Sequence, residues 1–230
     1  KIIDCSWHMP QSKRNGFDEY KTRHVPNAIF FDLDNNSKKD THLPHMIVKI
    51  NNWEKIVSKM GIEKNDEIVI YDNSDVISSC RCWFNFIYFG HDPKLVHVLN
   101  GGLKKWLEEE KKIRNDLPNI QISNYKGFEK KKLIKNKKLI DHNIKSQKFK
   151  VIDARSQERF EGKIPEPRKG LRSGCIEKSF CIPFNYCLNE DKTFKDKKEL
   201  ENIFRSCLEN IDEKNIVFSC GSGVTACVLA

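Results

Sequence analysis

The sequence predicts an α/β protein of two tandem, related domains, each a mostly parallel sheet flanked by helices on both faces. Three observations lead there. Short apolar runs alternate with amphipathic stretches, the pattern of a parallel sheet covered on both sides. Segments of the first half reappear in the second at a nearly constant offset. The chain has 230 residues, room for two domains of ordinary size, which cluster near roughly 100 to 150 residues.

In the first half four short apolar runs read as strands: Ile2 to Cys5, Ala28 to Asp32, Glu67 to Asp72 and Leu95 to Leu99. Trp53, Ile56, Val57 and Met60 fall at i, i+3, i+4 and i+7, one face of a helix, and Gly61 supplies its stop. Cys80, Trp83, Phe84 and Ile87 repeat that spacing before Gly90, and Gly101-Gly102 opens a short helix carrying Leu103, Trp106 and Leu107. After Pro118 the chain is polar to about Lys132, and a helical pattern resumes with Leu133, Ile134, Ile140 and Ile144. Strands then follow at Val151 to Asp153, Phe180 to Ile182 and Ile216 to Ser219. A helix at Lys197 to Leu208 carries Leu200, Ile203, Phe204 and Leu208 on one face. The expected division is a first domain at 1–117, a linker at 118–132 and a second domain at 133–230.

The halves match in order. Ile3-Asp4-Cys5-Ser6 pairs with Ile152-Asp153-Ala154-Arg155, 149 residues on; His24 to Ile29 with Cys175 to Phe180, 151 on; and Ile68 to Asp72 with Ile216 to Cys220, 148 on. Three correspondences at nearly one offset point to duplication of a whole domain. At the last of them one copy has Asp72 and the other Cys220, so only the second copy offers a thiol nucleophile there.

Charge and composition narrow the class. The net charge is +9, but ten lysines and two acids between Lys126 and Lys150 account for +8 of it. A cluster confined to a linker and one helix reads as a solvated face rather than a nucleic-acid footprint. With 38% hydrophobic residues and fourteen Phe the chain can bury cores. No apolar run approaches the roughly 18 to 20 residues of a membrane span. No nucleic-acid or membrane partner is therefore expected. Nine cysteines, an odd count, fall mostly inside apolar runs rather than in a regular disulfide framework, which favours a reducing compartment. There is no C-x-x-C, and Cys80 and Cys82, two apart on a helix, point to different sides, so no metal is expected. The chain starts inside an apolar segment without a Met, so its ends read as trimmed.

The chemistry concentrates at Cys220-Gly221-Ser222-Gly223-Val224-Thr225, which follows a strand and runs into an apparent helix from Val224. Two glycines permit a tight turn whose backbone N–H groups point inward, and a helix start adds unpaired donors. Such a cradle favours an anion, including a thiolate at its mouth. Locally the same residues also fit a buried structural cysteine in a glycine turn.

Taken together the motifs resemble the tandem-domain rhodanese sulfurtransferases, and within them the 3-mercaptopyruvate sulfurtransferases. The resemblance spans nearly the whole chain: Asp4-Cys5-Ser6-Trp7, Arg23 to Asp32, Tyr71-Asp72, Phe89-Gly90-His91, Leu99 to Leu103, Asp153-Ala154-Arg155, Pro165-Glu166-Pro167-Arg168 and the Cys220 loop. It implies two rhodanese-like domains with the active site between them, the first catalytically silent. Thiosulfate-preferring relatives usually carry Arg-Lys after the cysteine, whereas Gly221-Ser222 is the mercaptopyruvate pattern.

The resemblance also assigns roles. Cys220 is the nucleophile, and Gly221, Gly223, Val224 and Thr225 line the substrate and persulfide anion. Arg159 and Arg168, in what reads as a polar loop, clamp a 2-keto acid through their guanidinium forks. Ser222, His45 and Asp34 form a proton relay, with His42 near enough in sequence to compete with His45. The implied reaction moves sulfur from 3-mercaptopyruvate to a thiol acceptor such as thioredoxin or a small thiol, or to cyanide, through a Cys220 persulfide, and requires no cofactor. The expected compartment is the cytoplasm, with the mitochondrion as alternative.

Three features depart from the family pattern. Gly174-Cys175-Ile176-Glu177-Lys178 replaces a Gly-His-Ile-Pro-Gly turn, Cys80-Arg81-Cys82 stands where smaller or apolar residues are usual, and the chain stops at Ala230, soon after the loop, so the second domain reads as C-terminally incomplete. A rhodanese-fold phosphatase would need an Arg six positions after its cysteine, where this chain has Ala226. A thiosulfate sulfurtransferase and a non-catalytic rhodanese-like interaction module are the alternatives.

Overall fold

A computed structural model describes residues 1–168, 170–211 and 214–230. Lys169, inside the Arg168 motif, lies outside the described residues. The chain divides into two compact units, Lys1–Leu133 with Asp191–Thr193, and Ile134–Glu190 with Phe194–Ala230.

The first unit is built on four parallel strands, β1 (Ile2–Asp4), β2 (Ala28–Phe30), β3 (Ile68–Tyr71) and β4 (Val96–Val98), in the order β2-β1-β3-β4. Ile3, Ala28, Ile68 and Ile70 are fully buried, as expected of strands packed on both faces. Helices α1 (Gly16–Thr22), α2 (Ile50–Lys59), α3 (Ser78–Tyr88) and α4 (Gly102–Glu108) follow the strands in turn. One cluster joins Tyr20, Val25, Ala28, Tyr71 and Leu103. Elsewhere Trp53 of α2 stacks on Phe89 at 4.7 Å and meets Phe86 edge-on at 5.0 Å. Each fully buried side chain of this size contributes about 1.5 to 3 kcal/mol by leaving water.

Helix α1 is not foreseen from periodicity, because only Phe17 and Tyr20 repeat at helical spacing over its 7 residues. Its start is nevertheless written in the sequence, since Asn15 accepts from the Asp18 amide at 3.0 Å and acids follow in the first turn. Residues 118–132, expected as a linker, contain a stretch fastened along the first unit. Tyr125 N–H donates to Ser58 Oγ at 2.9 Å, Gly127 N–H to Glu54 Oε1 at 3.1 Å and Lys130 N–H to the Tyr88 carbonyl at 2.8 Å. Polar composition here reflects backbone and side-chain pairing, and Tyr125 itself is buried.

The second unit begins with α5 (Lys137–Ser146), capped by Asn136, whose side chain accepts from the Leu139 amide at 3.0 Å. Leu133 and Ile134, read as part of this helix, precede its cap and are exposed. Three parallel strands follow, β5 (Lys150–Asp153), β6 (Phe180–Cys181) and β7 (Ile216–Ser219), in the order β6-β5-β7. Arg159, expected in a loop, stands on a single helical turn, α6 (Gln157–Phe160), too short for any apolar period to show. Helix α7 (Lys197–Phe204) opens with a capping box between Asp196 and Glu199 and ends four residues before Leu208. Leu208 still joins the core with Ile152, Ala154, Ile182, Cys187 and Leu229.

Register repeats between the units. Ile3 lies opposite Ile29 and Ile70, and Ile152 opposite Phe180 and Phe218. Beyond the strand ends, Cys5 N–H donates to the Tyr71 carbonyl and Ala154 N–H to the Ser219 carbonyl, each at 2.8 Å. The three sequence correspondences are thus also structural ones, and they place Asp72 and Cys220 at the same point, one residue past the strand beside β1 or β5.

Candidate active site

Strand β7 delivers Cys220 half-buried into a turn whose geometry Gly223 sets. Gly223 has φ of 74°, a left-handed conformation that favours glycine, and its N–H donates to Cys220 Sγ at 3.1 Å. Its carbonyl accepts from Cys227 Sγ, also at 3.1 Å. The segment expected as a helix from Val224 is a 3-10 turn, Thr225–Val228, closed by i→i+3 bonds such as Cys227 N–H to the Val224 carbonyl at 3.1 Å. Such bonding is usual in short helical pieces. Val224, Ala226, Cys227 and Val228 are buried and anchor the loop, while Ser222 and Thr225 are half-buried.

Both predicted arginines reach this loop. A Cβ added to Gly221 would meet Arg159 Nη2 at 3.3 Å, a tight contact, and Arg168 Nη2 at 3.7 Å, an ordinary one, so both guanidiniums lie against this glycine. Arg168 Nη2 donates to the Gly221 carbonyl at 3.3 Å. Arg159 is held from behind by Glu166, with Nε to Oε1 at 3.1 Å and Nη2 to Oε2 at 2.6 Å. Arg155 donates to the same Glu166 at 2.8 Å and to Asp153 through Nε and Nη2. The Arg159 hydrogen bonds foremost, with Arg155 beside them, hold the Glu166 carboxyl below its usual range. The Asp153–Arg155–Glu166–Arg159 network thus pairs two guanidiniums with two carboxylates, and Arg168 meets the loop through the Gly221 carbonyl instead. Glu166 and Arg155 carry no role in the sequence reading, although both stand in quoted motifs.

His45 and Asp34 meet in the first unit, on the irregular segment between β2 and α2. His45 Nε2 lies 2.9 Å from Asp34 Oδ1, and Trp7 Nε1 donates to Asp34 Oδ2 at 2.9 Å. The Trp7 and His45 rings meet edge-on at 4.7 Å. The bond to His45 is the main cause holding the Asp34 carboxyl below its ordinary range. His42 is exposed, whereas His45 is buried. Trp7 escapes sequence reasoning because its indole bond spans 27 residues to Asp34.

Asp72, the counterpart of Cys220, fills its own turn. Its Oδ1 accepts from the Ser74 amide and hydroxyl, each at 2.8 Å, and its Oδ2 from the Ser79 amide at 2.9 Å. A built-in carboxylate therefore takes donors of the kind that in the second unit face a thiol.

Among the described residues, no group of three or more His, Cys, Asp or Glu side chains is arranged to hold a metal ion. No disulfide joins any of the nine cysteines. No described helix is long and apolar enough to cross a membrane.

Parallel sheets with this register, and a cysteine entering a glycine-lined turn beside two guanidiniums, define a rhodanese-type α/β protein. Residues 1–109 match the rhodanese-like domain model. The chain is 38% identical to thiosulfate/3-mercaptopyruvate sulfurtransferase 1, mitochondrial, of Arabidopsis thaliana, covering all of this chain and 65% of that protein. It is 34% identical to the 3-mercaptopyruvate sulfurtransferase of Mus musculus, covering 99% of this chain and 76% of that one. The crystal structure of the 3-mercaptopyruvate sulfotransferase SseA from Escherichia coli superposes with a TM-score of 0.88 at 27% identity, over all of this chain and 85% of that one. The chain belongs to the rhodanese family of sulfurtransferases.

Proposed function

We propose that the protein moves sulfur from 3-mercaptopyruvate to a thiol acceptor through a persulfide on Cys220. The observation that carries this reading is the Cys220 turn, with an amide on the sulfur and the Arg159 and Arg168 guanidiniums at Gly221. The positive charge of a guanidinium suits a carboxylate, and its planar fork suits the carboxylate's geometry.

In this scheme Arg168 and Arg159 hold the carboxylate and keto oxygen of the donor. The Cys220 thiolate attacks the donor sulfur. The carbon–sulfur bond breaks, its electron pair leaves on the pyruvate enolate, and a proton on the methylene carbon completes pyruvate. The thiol proton of the donor is lost, so the products are a Cys220 persulfide anion and pyruvate. The Gly223 amide stabilises that anion as it stabilises the thiol sulfur. Ser222 and the His45–Asp34 pair are assigned to proton delivery. An external thiol, of a protein such as thioredoxin or of a small molecule, then takes the outer sulfur. No cofactor takes part in this scheme.

Thiosulfate is the second donor to consider, because the name of the Arabidopsis relative includes it. That relative's name also makes the mitochondrion the compartment to examine beside the cytoplasm. The deciding experiment compares kcat/KM for mercaptopyruvate and thiosulfate with one thiol acceptor. A preference for mercaptopyruvate is expected, and a clear preference for thiosulfate overturns the donor assignment.

A further inference from the structure

We propose that Arg81 is a positioning residue that fixes the His45 imidazole for its bond to Asp34. The proposal rests on the reading of His45 as a proton carrier given above. Its basis is a closed circuit of contacts in the first unit. Arg81 lies on the first turn of α3 and is only 4% exposed, rare for a residue that cannot lose its charge. Its Nη2 donates to the backbone carbonyl of His45, and its Nε donates to Asn85 Oδ1 at 3.0 Å one turn further on. Asn85 is itself buried, so the guanidinium is oriented at both ends.

The segment it grips has no regular structure to hold it. His45 has φ of 54°, in the left-handed region that side-chain-bearing residues seldom occupy. A residue kept there needs its surroundings to over-determine it, and Arg81 supplies one such restraint on the His45 peptide. The other side of the circuit returns to the same helix. Asp34 accepts from His45 and from Trp7 Nε1, and the Trp7 amide donates to Ser78 Oγ at 3.1 Å. Ser78 and Arg81 are three apart on α3 and so share its face. One helical turn therefore holds the backbone of His45 and that of Trp7, whose ring meets the imidazole. Burying a guanidinium only to brace a loop is costly. The side chain that the brace aims is His45, in contact with a carboxylate and buried on its other flank by the Trp7 ring.

The test compares Arg81→Met, Arg81→Lys and His45→Gln in the full chain. Two readouts are used: the 15N signals of the His45 ring, and the separate kcat and KM for mercaptopyruvate. Arg81→Met is expected to move the ring signals and lower kcat about tenfold with KM within twofold. Arg81→Lys, which keeps the charge but replaces the planar fork with a single ammonium nitrogen, should fall between Met and wild type in both. A folded Arg81→Met protein whose ring signals coincide with wild type overturns the proposal, whatever its activity, because Arg81 is then a structural residue only. If Arg81→Met does not fold, Arg81→Lys decides in the same way: displaced ring signals support the proposal and wild-type signals overturn it. Should the ring signals move while His45→Gln leaves kcat untouched, the positioning stands and the proton-carrier reading falls.

Discussion

The amide of Gly223 donates to the sulfur of Cys220 at 3.1 Å, and the backbone of Gly223 is left-handed, with φ of 74°. A Cβ at this position meets the ordinary penalty for φ above zero, about 1 kcal/mol. Gly223→Ala is therefore expected to lose about that much stability. It should also lower kcat tenfold or more, because the same amide faces the sulfur that carries charge through the reaction. Thermal unfolding and steady-state kinetics on one preparation check both. An alanine variant with full kcat would remove the amide from the mechanism.

Arg168 and Arg159 face the loop from different electrostatic settings, since Glu166 engages Arg159 and not Arg168. Arg168→Ala is accordingly expected to raise KM for mercaptopyruvate about tenfold, or about 1.4 kcal/mol of binding. Glu166→Gln leaves both arginines in place but loosens Arg159. At neutral pH it is expected to cost about 3 kcal/mol of stability, as breaking one side of a buried pair does. The sign with pH is fixed by the depressed Glu166 pKa. Its contribution is complete above the ordinary carboxylate range near pH 4 and fades as pH falls through the folded-state value. The difference between wild type and Glu166→Gln should therefore shrink on acidification, which denaturant titrations at several pH values will read.

Asp4 and Asp153 end equivalent strands, yet the second has Arg155 folded onto it and the first has Ser6 at that place. Burial therefore dominates at Asp4 and raises its pKa to about 6. A carboxyl raised on folding stabilises the fold less as pH climbs from about 4 through about 6. Asp4→Asn keeps an oxygen for the Ser6 amide and removes the buried charge. It is expected to be more stable than wild type at pH 8, by about 3 kcal/mol, and close to it near pH 4. A stability difference that does not change with pH would show that Asp4 is not titrating in this range.

How far the sequence speaks depends on the length over which each feature is encoded. Strand β7 and the Cys220 turn are legible because an apolar run followed by two glycines is a local pattern. Helix α6 is not, since its 4 residues allow no period. Arg159, Arg168 and the Asp34–His45 pair are reached through resemblance to a family, because isolated polar residues in irregular segments carry no periodic signal. The roles of Trp7, Arg81 and Glu166 appear only in three dimensions. Trp7 reaches Asp34 across 27 residues and Arg81 reaches His45 across 36. Nor does composition reveal that the polar stretch within residues 118–132 pairs its backbone with α2 and α3.

The most direct measurement is the intact mass and peptide map of the protein after reaction with 3-mercaptopyruvate in the absence of any acceptor, with pyruvate assayed alongside. One extra sulfur atom on the Cys220 peptide, matched by an equal amount of pyruvate and lost on adding a thiol, is the expected result, with neither product formed by Cys220→Ser. Pyruvate release that persists in Cys220→Ser, or a wild-type protein that gains no sulfur at Cys220, would contradict the assignment of Cys220 as the sulfur carrier.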